Sequence, residues 1–172
     1  MQLRSVLMFP KLDDSKTISD YRTRYDDLVE HIRPHVQLVF PFESEMSDQR
    51  IGNAVAKVIE RVRQMKAVLG DAYTIPSART VEVEVLLVKQ EIIDLHDALY
   101  KEPEFAKFLN KQIPYRPHVT IARNVTDSEA KQIVKKYNAE GNRQEMIIDS
   151  VSIERILENG DSDEFFNHEL GS

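Results

Sequence analysis

Apolar residues recur along this chain with two different periods, and the period in force at each point predicts the element. Leu3 to Phe9 is short, mostly apolar and closed by Pro10, which reads as a buried strand. Ile18, Tyr21, Tyr25, Leu28 and Ile32 follow at intervals of three and four, the spacing of an amphipathic helix that Pro34 ends. From 35 to 42 the period drops to two. Val36, Leu38, Phe40 and Phe42 then share one face of a strand, and His35, Gln37 and Val39 share the other. A second helix is expected from Ser47 to Leu69, with Ile51, Val55, Val58, Val62, Met65 and Leu69 on its stripe and Gly70 as its stop.

Beyond Gly70 the pattern gives a short strand near Tyr73 to Ile75 and a longer one over 79–88. In the longer strand Val81, Val83, Val85 and Leu87 lie on one face, with Glu82 and Glu84 opposite. Ile92, Leu95 and Leu99 predict a third helix, followed past Pro103 by a helical turn around Phe105 to Leu109. His118 to Arg123 is a strand with His118 and Thr120 on one face and Val119 and Ile121 on the other. Thr126 and Glu129 form a capping box before a fourth helix. Met146 to Leu157 returns to strand, and Asn159-Gly160 is a turn leading to a partner over 164–170. With no long linker between these elements, residues 1–172 are expected to form a single α+β domain.

Composition narrows the chemistry. The chain has 172 residues, 41% hydrophobic and 30% charged, and no cysteine, so thiolate nucleophiles, cysteine-ligated zinc and iron–sulfur clusters drop out. A formal net charge of −6 disfavours gripping long duplex nucleic acid by overall charge, but leaves room for a small phosphorylated ligand in a local basic pocket. No apolar run reaches membrane-spanning length and the first residues lack a signal-peptide pattern, so a cytoplasmic protein with no membrane partner is expected.

The two halves carry a repeat. Arg33-Pro34-His35-Val36-Gln37-Leu38 matches Arg116-Pro117-His118-Val119-Thr120-Ile121 in its first four residues and in hydrophobic pattern afterwards. Each copy opens a strand after a proline, presenting a histidine and the residue two positions on away from the apolar face. Two imidazoles near neutral pH divide the work of phosphodiester cleavage: one accepts a proton from the attacking oxygen while the other donates to the departing one, with no metal required. Gln37 and Thr120 are then placed to hydrogen-bond phosphate oxygens. Arg33 and Arg116 are candidates for positive charge in the groove, while Arg123 falls on the face opposite His118. Pro34 breaks the helical geometry that would make His31 and His35 a metal pair, and His96 and His168 receive no role.

This pair of His-containing motifs resembles the 2H phosphoesterases, which include the bacterial 2′-5′ RNA ligase-like and cyclic phosphodiesterase proteins. His118-Val119-Thr120-Ile121 matches the His-x-Thr/Ser-x motif fully; His35-Val36-Gln37-Leu38 keeps the histidine and departs from it at Gln37. The first strand ending in Phe-Pro and the segment Leu38-Val39-Phe40-Pro41-Phe42 extend the likeness over nearly the whole chain. The resemblance implies two pseudo-symmetric lobes, each an antiparallel sheet backed by helices, with both histidines in a central groove. It further implies action on 2′,3′-cyclic phosphates or 2′-5′ linkages of a small nucleotide or RNA end, without a cofactor. His35 and His118 would be the acid–base pair, with Thr120 and Gln37 on the phosphate. One alternative is a nucleotide or RNA-end binding module in which Gln37 marks lost turnover; another is a protein-interaction domain with an empty groove.

Overall fold

The structure is a computed structural model describing residues 1–172. Two antiparallel sheets face each other. The first has the order β3 (Val36–Ser44), β1 (Gln2–Met8), β8 (Ser150–Ile156) and β9 (Ser162–Glu169). The second has the order β2 (Lys11–Leu12), β7 (Gln144–Ile148), β4 (Met65–Ile75), β5 (Thr80–Leu86) and β6 (His118–Ala122). Four helices back them: α1 (Ser15–Tyr25), α2 (Asp48–Ile59), α3 (Lys89–Lys101) and α4 (Asp127–Ala139). The expected class, α+β with antiparallel sheets and helical backing, is the one observed, and no helix is long and apolar enough to cross a membrane.

The helices are exchanged between the sheets. Helix α1 lies between β1 and β3 in sequence yet packs on β6 of the second sheet, while α3, between β5 and β6, packs on β3 of the first. Each histidine-bearing strand is thus covered by a helix from the other half of the chain. Helix α2 joins α3 on the first sheet, where Phe166 of β9 comes so close to Gly52 that a Cβ would lie 3.2 Å from its ring. Helix α4 covers β4 and β5, capped as expected by Thr126 and Glu129.

Three expected elements change. The first helix stops at Tyr25, because Arg22 turns back onto the Asp26 carboxylate and onto the carbonyls of Leu28 and Ile32, fixing 26–32 as a compact turn. The second ends at Ile59, and Met65 and Leu69 belong to the long strand β4. There Met65, Ala67 and Leu69 are buried in alternation, a period of two that the helical stripe had absorbed. Gly70 sits inside that strand at an irregularity of the β4–β5 pairing, where a Cβ would meet the Leu86 side chain at 2.8 Å. The stretch 146–157 divides at Asp149 into β7 and β8, one in each sheet. The Asn159-Gly160 turn forms as expected, with Gly160 at φ +88°.

Candidate active site

Between the sheets lies a cavity of about 300 Å³ whose wall includes His35, Gln37, His118 and Thr120. The two motifs therefore meet although they are far apart in sequence. Each follows a proline, and the extended backbone before each strand folds a carbonyl onto its histidine: Nδ1 of His35 lies 2.9 Å from the Arg33 carbonyl oxygen, and Nδ1 of His118 lies 2.6 Å from that of Arg116. A carbonyl only accepts, so in each ring Nδ1 carries the hydrogen. In both, Nε2 is left as the atom that can take up or release a proton.

The surroundings of the two rings differ. Enclosure in the cleft pushes the His35 imidazole down to about 4; the Arg33 carbonyl opposes that shift, and the positive charges of Arg123 and Arg22 and the neighbouring His118 reinforce it. His118 has a carboxylate instead, with Glu82 Oε2 3.4 Å from its Nδ1. Glu82 reaches it because β5 pairs with β6 so that Glu82 stands opposite Thr120. A second carboxylate in the wall, Glu154 on β8, is 2% exposed and accepts hydroxyl hydrogens from Ser5 at 2.6 Å and from Ser162.

Positive charge comes from a residue expected to point away. Val81 pairs with Ala122 and Glu82 with Thr120, so Ile121 is an extra residue in β6. Ile121 and Ala122 are consecutively buried, and Arg123 is turned to the same side as His118 and Thr120, into the cavity wall. Its backbone N–H donates to the Tyr25 carbonyl and its Nη1 to both oxygens of Asp26, each at 2.6 Å. Asp26 also accepts from Arg22 Nε at 2.6 Å, making a cluster in which one buried carboxylate holds two guanidiniums, that of Arg22 buried and that of Arg123 partly so. Burial alone would raise the Asp26 carboxyl; Arg123 and Arg22 outweigh it and hold it below the ordinary range.

The arginines expected in the groove do not line it. Arg33 stacks 3.8 Å above the Phe9 ring and pairs with Glu164, and Arg116 lies over the Tyr73 ring, so what both give the site is a backbone carbonyl. Gln37 does line the cavity, but its Nε2 donates to the carbonyls of Val6 at 3.2 Å and Val39 at 2.9 Å. Both amide hydrogens are committed there, at an irregularity in the β1–β3 pairing, and the side chain offers a phosphate only its acceptor oxygen. The same irregular pairing turns Phe40 outward: it is 43% exposed at the cavity, not in the core where its spacing had put it. Its backbone N–H donates to the Tyr100 hydroxyl.

Tyr115, three residues before His118, donates its hydroxyl to the backbone carbonyl of Gln37 at 2.6 Å and so ties the two motifs together. Burial pushes its phenol far up, keeping it a donor. The buried His96 stacks on it at 3.8 Å, a packing role. Arg123, Glu82, Glu154 and Tyr115 all escape a reading of single strands, because pairing partners and bulges put them here. The one signal available was the polar face of the 79–88 strand, which already carried Glu82.

Residues 10–160 match the family model described as the 2′-5′ RNA ligase superfamily. A Bacillus licheniformis protein named "Putative phosphoesterase" is 27% identical over 164 residues, covering 90% of both chains. One from Halalkalibacterium halodurans, bearing the same description, is 25% identical and covers 96% of each. In solved structures, the fold is shared with E. coli LigT complexed with 3′-AMP, at a TM-score of 0.63, 15% identity and 99% coverage of both chains.

Proposed function

Because the chain belongs to the 2′-5′ RNA ligase superfamily of 2H phosphoesterases, we propose that it cleaves 2′,3′-cyclic phosphates of nucleotides or RNA ends, or 2′-5′ linkages, by proton exchange between His35 and His118. The observation carrying this is the matched pair of imidazoles in one cavity, each pinned through Nδ1 by the carbonyl two residues back. His35 is the base. Its pKa of about 4 keeps it unprotonated at neutral pH, and Nε2 takes a proton from water as that oxygen bonds to phosphorus. His118 is the acid, since Glu82 gives its cation a counter-charge that a His35 cation lacks. As the ring P–O bond breaks, the departing ribose oxygen takes the proton from His118 Nε2, and a phosphomonoester results. Thr120 and Arg123 face the non-bridging oxygens and offset the charge that builds there.

LigT complexed with 3′-AMP, the kind of monoester that opening a 2′,3′-cyclic phosphate yields, supports a nucleotide-sized substrate for this fold. The rival reading, a nucleotide or RNA-end binding module without turnover, draws on the committed amide of Gln37. Turnover of 2′,3′-cyclic nucleotides and short 2′-5′-linked oligonucleotides in EDTA decides between them. His35→Ala and His118→Ala should each lower kcat/KM by about 100-fold or more with the circular dichroism unchanged. Activity surviving in either variant would refute the two-histidine step, and tight binding by a wild type that makes no product would favour the rival.

A further inference from the structure

The charges on and directly behind the cavity wall do not add up to a general anion site. Arg123 and Arg22 contribute two guanidiniums, but they share the carboxylate of Asp26, and Glu82 and Glu154 add two more carboxylates. Two fixed positive charges thus face three fixed negative ones, and the one proton that His35 and His118 exchange brings the balance only to zero. The carboxylates are built in. Glu154 is buried with a serine hydroxyl on each oxygen and no basic side chain within 4 Å, and Glu82 stands directly opposite Thr120 in the β5–β6 ladder. They also come from both sheets, Glu82 from β5 and Glu154 from β8.

We infer that the cleft is a charge filter: Glu82 and Glu154 admit a singly charged phosphodiester and repel the doubly charged monoester formed from it. This rests on the proposed phosphoesterase function and names the ligand class more narrowly. A cyclic phosphate carries one negative charge, while a monoester carries nearly two at pH 7 because its second ionisation lies near 6. The surplus charge appears only when the ring opens, in a cavity walled by both sheets where repulsion is weakly screened. Glu154 is then a specificity-determining residue that speeds product release and disfavours polyphosphates.

A nucleoside 3′-phosphate and its isosteric 3′-sulfate separate charge from shape, because the sulfate ester stays singly charged at pH 7.5. Titration calorimetry of both esters against the intact wild-type protein should give tighter binding of the sulfate, by about tenfold. Glu154→Gln should narrow that ratio toward one, chiefly by tightening the phosphate. The ratio is internal to each protein, so a loss of folded material cancels. Ser162→Ala, which removes a hydrogen bond but keeps the charge, should retain the wild-type ratio.

Equal or tighter binding of the phosphate by wild type would overturn the inference. So would an unchanged ratio in Glu154→Gln, an equal change in Ser162→Ala, or failure of both esters to bind. Turnover is read separately: the expected ratios in a protein that turns nothing over would uphold the filter and refute the catalysis.

Discussion

Replacing Asp26 by asparagine removes the one negative charge shared by Arg22 and Arg123 while keeping the side chain's shape. The Asp26 side chain is fully buried and takes three hydrogen bonds of 2.6 Å from the two guanidiniums, besides one from the Leu28 N–H. Removing one member of a buried ion cluster costs about 3–5 kcal/mol, since the remaining charges stay desolvated without a partner. Asparagine retains one acceptor oxygen, which puts the expectation near the lower end, about 3 kcal/mol. With a urea m-value of about 2 kcal/mol per molar for a chain of this size, the denaturation midpoint should fall by about 1.5 M. Activity should fall as well, because Arg123 loses the contact that aims it into the cavity. Urea melts followed by circular dichroism, with kcat/KM on the same preparations, test both. A midpoint shift below about 0.3 M would mean the cluster relaxes into water when broken, and would refute the assignment of a pre-aimed Arg123. The wild-type pH dependence carries the same sign: a carboxyl held below its ordinary 3.8 stabilises the fold above that value, and the contribution is lost as pH falls below it.

Tyr115→Phe should lower stability by about 1 kcal/mol and reduce kcat more than it raises KM, because the lost hydroxyl joins the two motifs and touches no substrate; a pure KM effect would contradict this. Acidification protonates His35 and removes the base, so the acid limb of kcat/KM should lie well under the ordinary imidazole value of 6.5, toward 4; a limb at 6.5 in a pH–rate profile would remove His35 from that role. From the same group, stability should decline as pH drops from 6.5 toward 4, since the unfolded chain binds the proton more readily. Gln37→Thr should cost about 1–2 kcal/mol in a thermal or urea melt, as the carbonyls of Val6 and Val39 lose their donor; an unchanged melt would show those bonds to be dispensable.

Sequence periodicity located the strands that carry the histidines and the third and fourth helices, because in each one period prevails between clear stops; the closing hairpin was legible from its Asn159-Gly160 turn, although its first strand begins at Ser150 and not at Met146. It failed where two periods coexist. Met65 and Leu69 are four apart and satisfy a helix, yet they also alternate with Ala67, and only pairing with β5 and β7 decides for a strand. Within the site, His35, Gln37, His118 and Thr120 were legible from the repeat and line one cavity. Arg123 and Phe40 were not, since one added residue in a strand reverses every side chain after it and nothing local in the sequence announces the addition. The arginines of the repeat misled for a different reason: their side chains are long enough to leave the groove for Phe9 and Tyr73.

The exchange of α1 and α3 bears on how this chain can be made. As it emerges during synthesis, the first histidine strand β3 has no cover for one face until residues 89–101 have followed it, and α1 waits still longer for β6 at residues 118–122. A nascent chain stopped anywhere before α3 therefore exposes an apolar sheet face, and neither half released alone could close its own lobe. Each histidine strand thus depends for its cover on a helix translated with the other half of the chain.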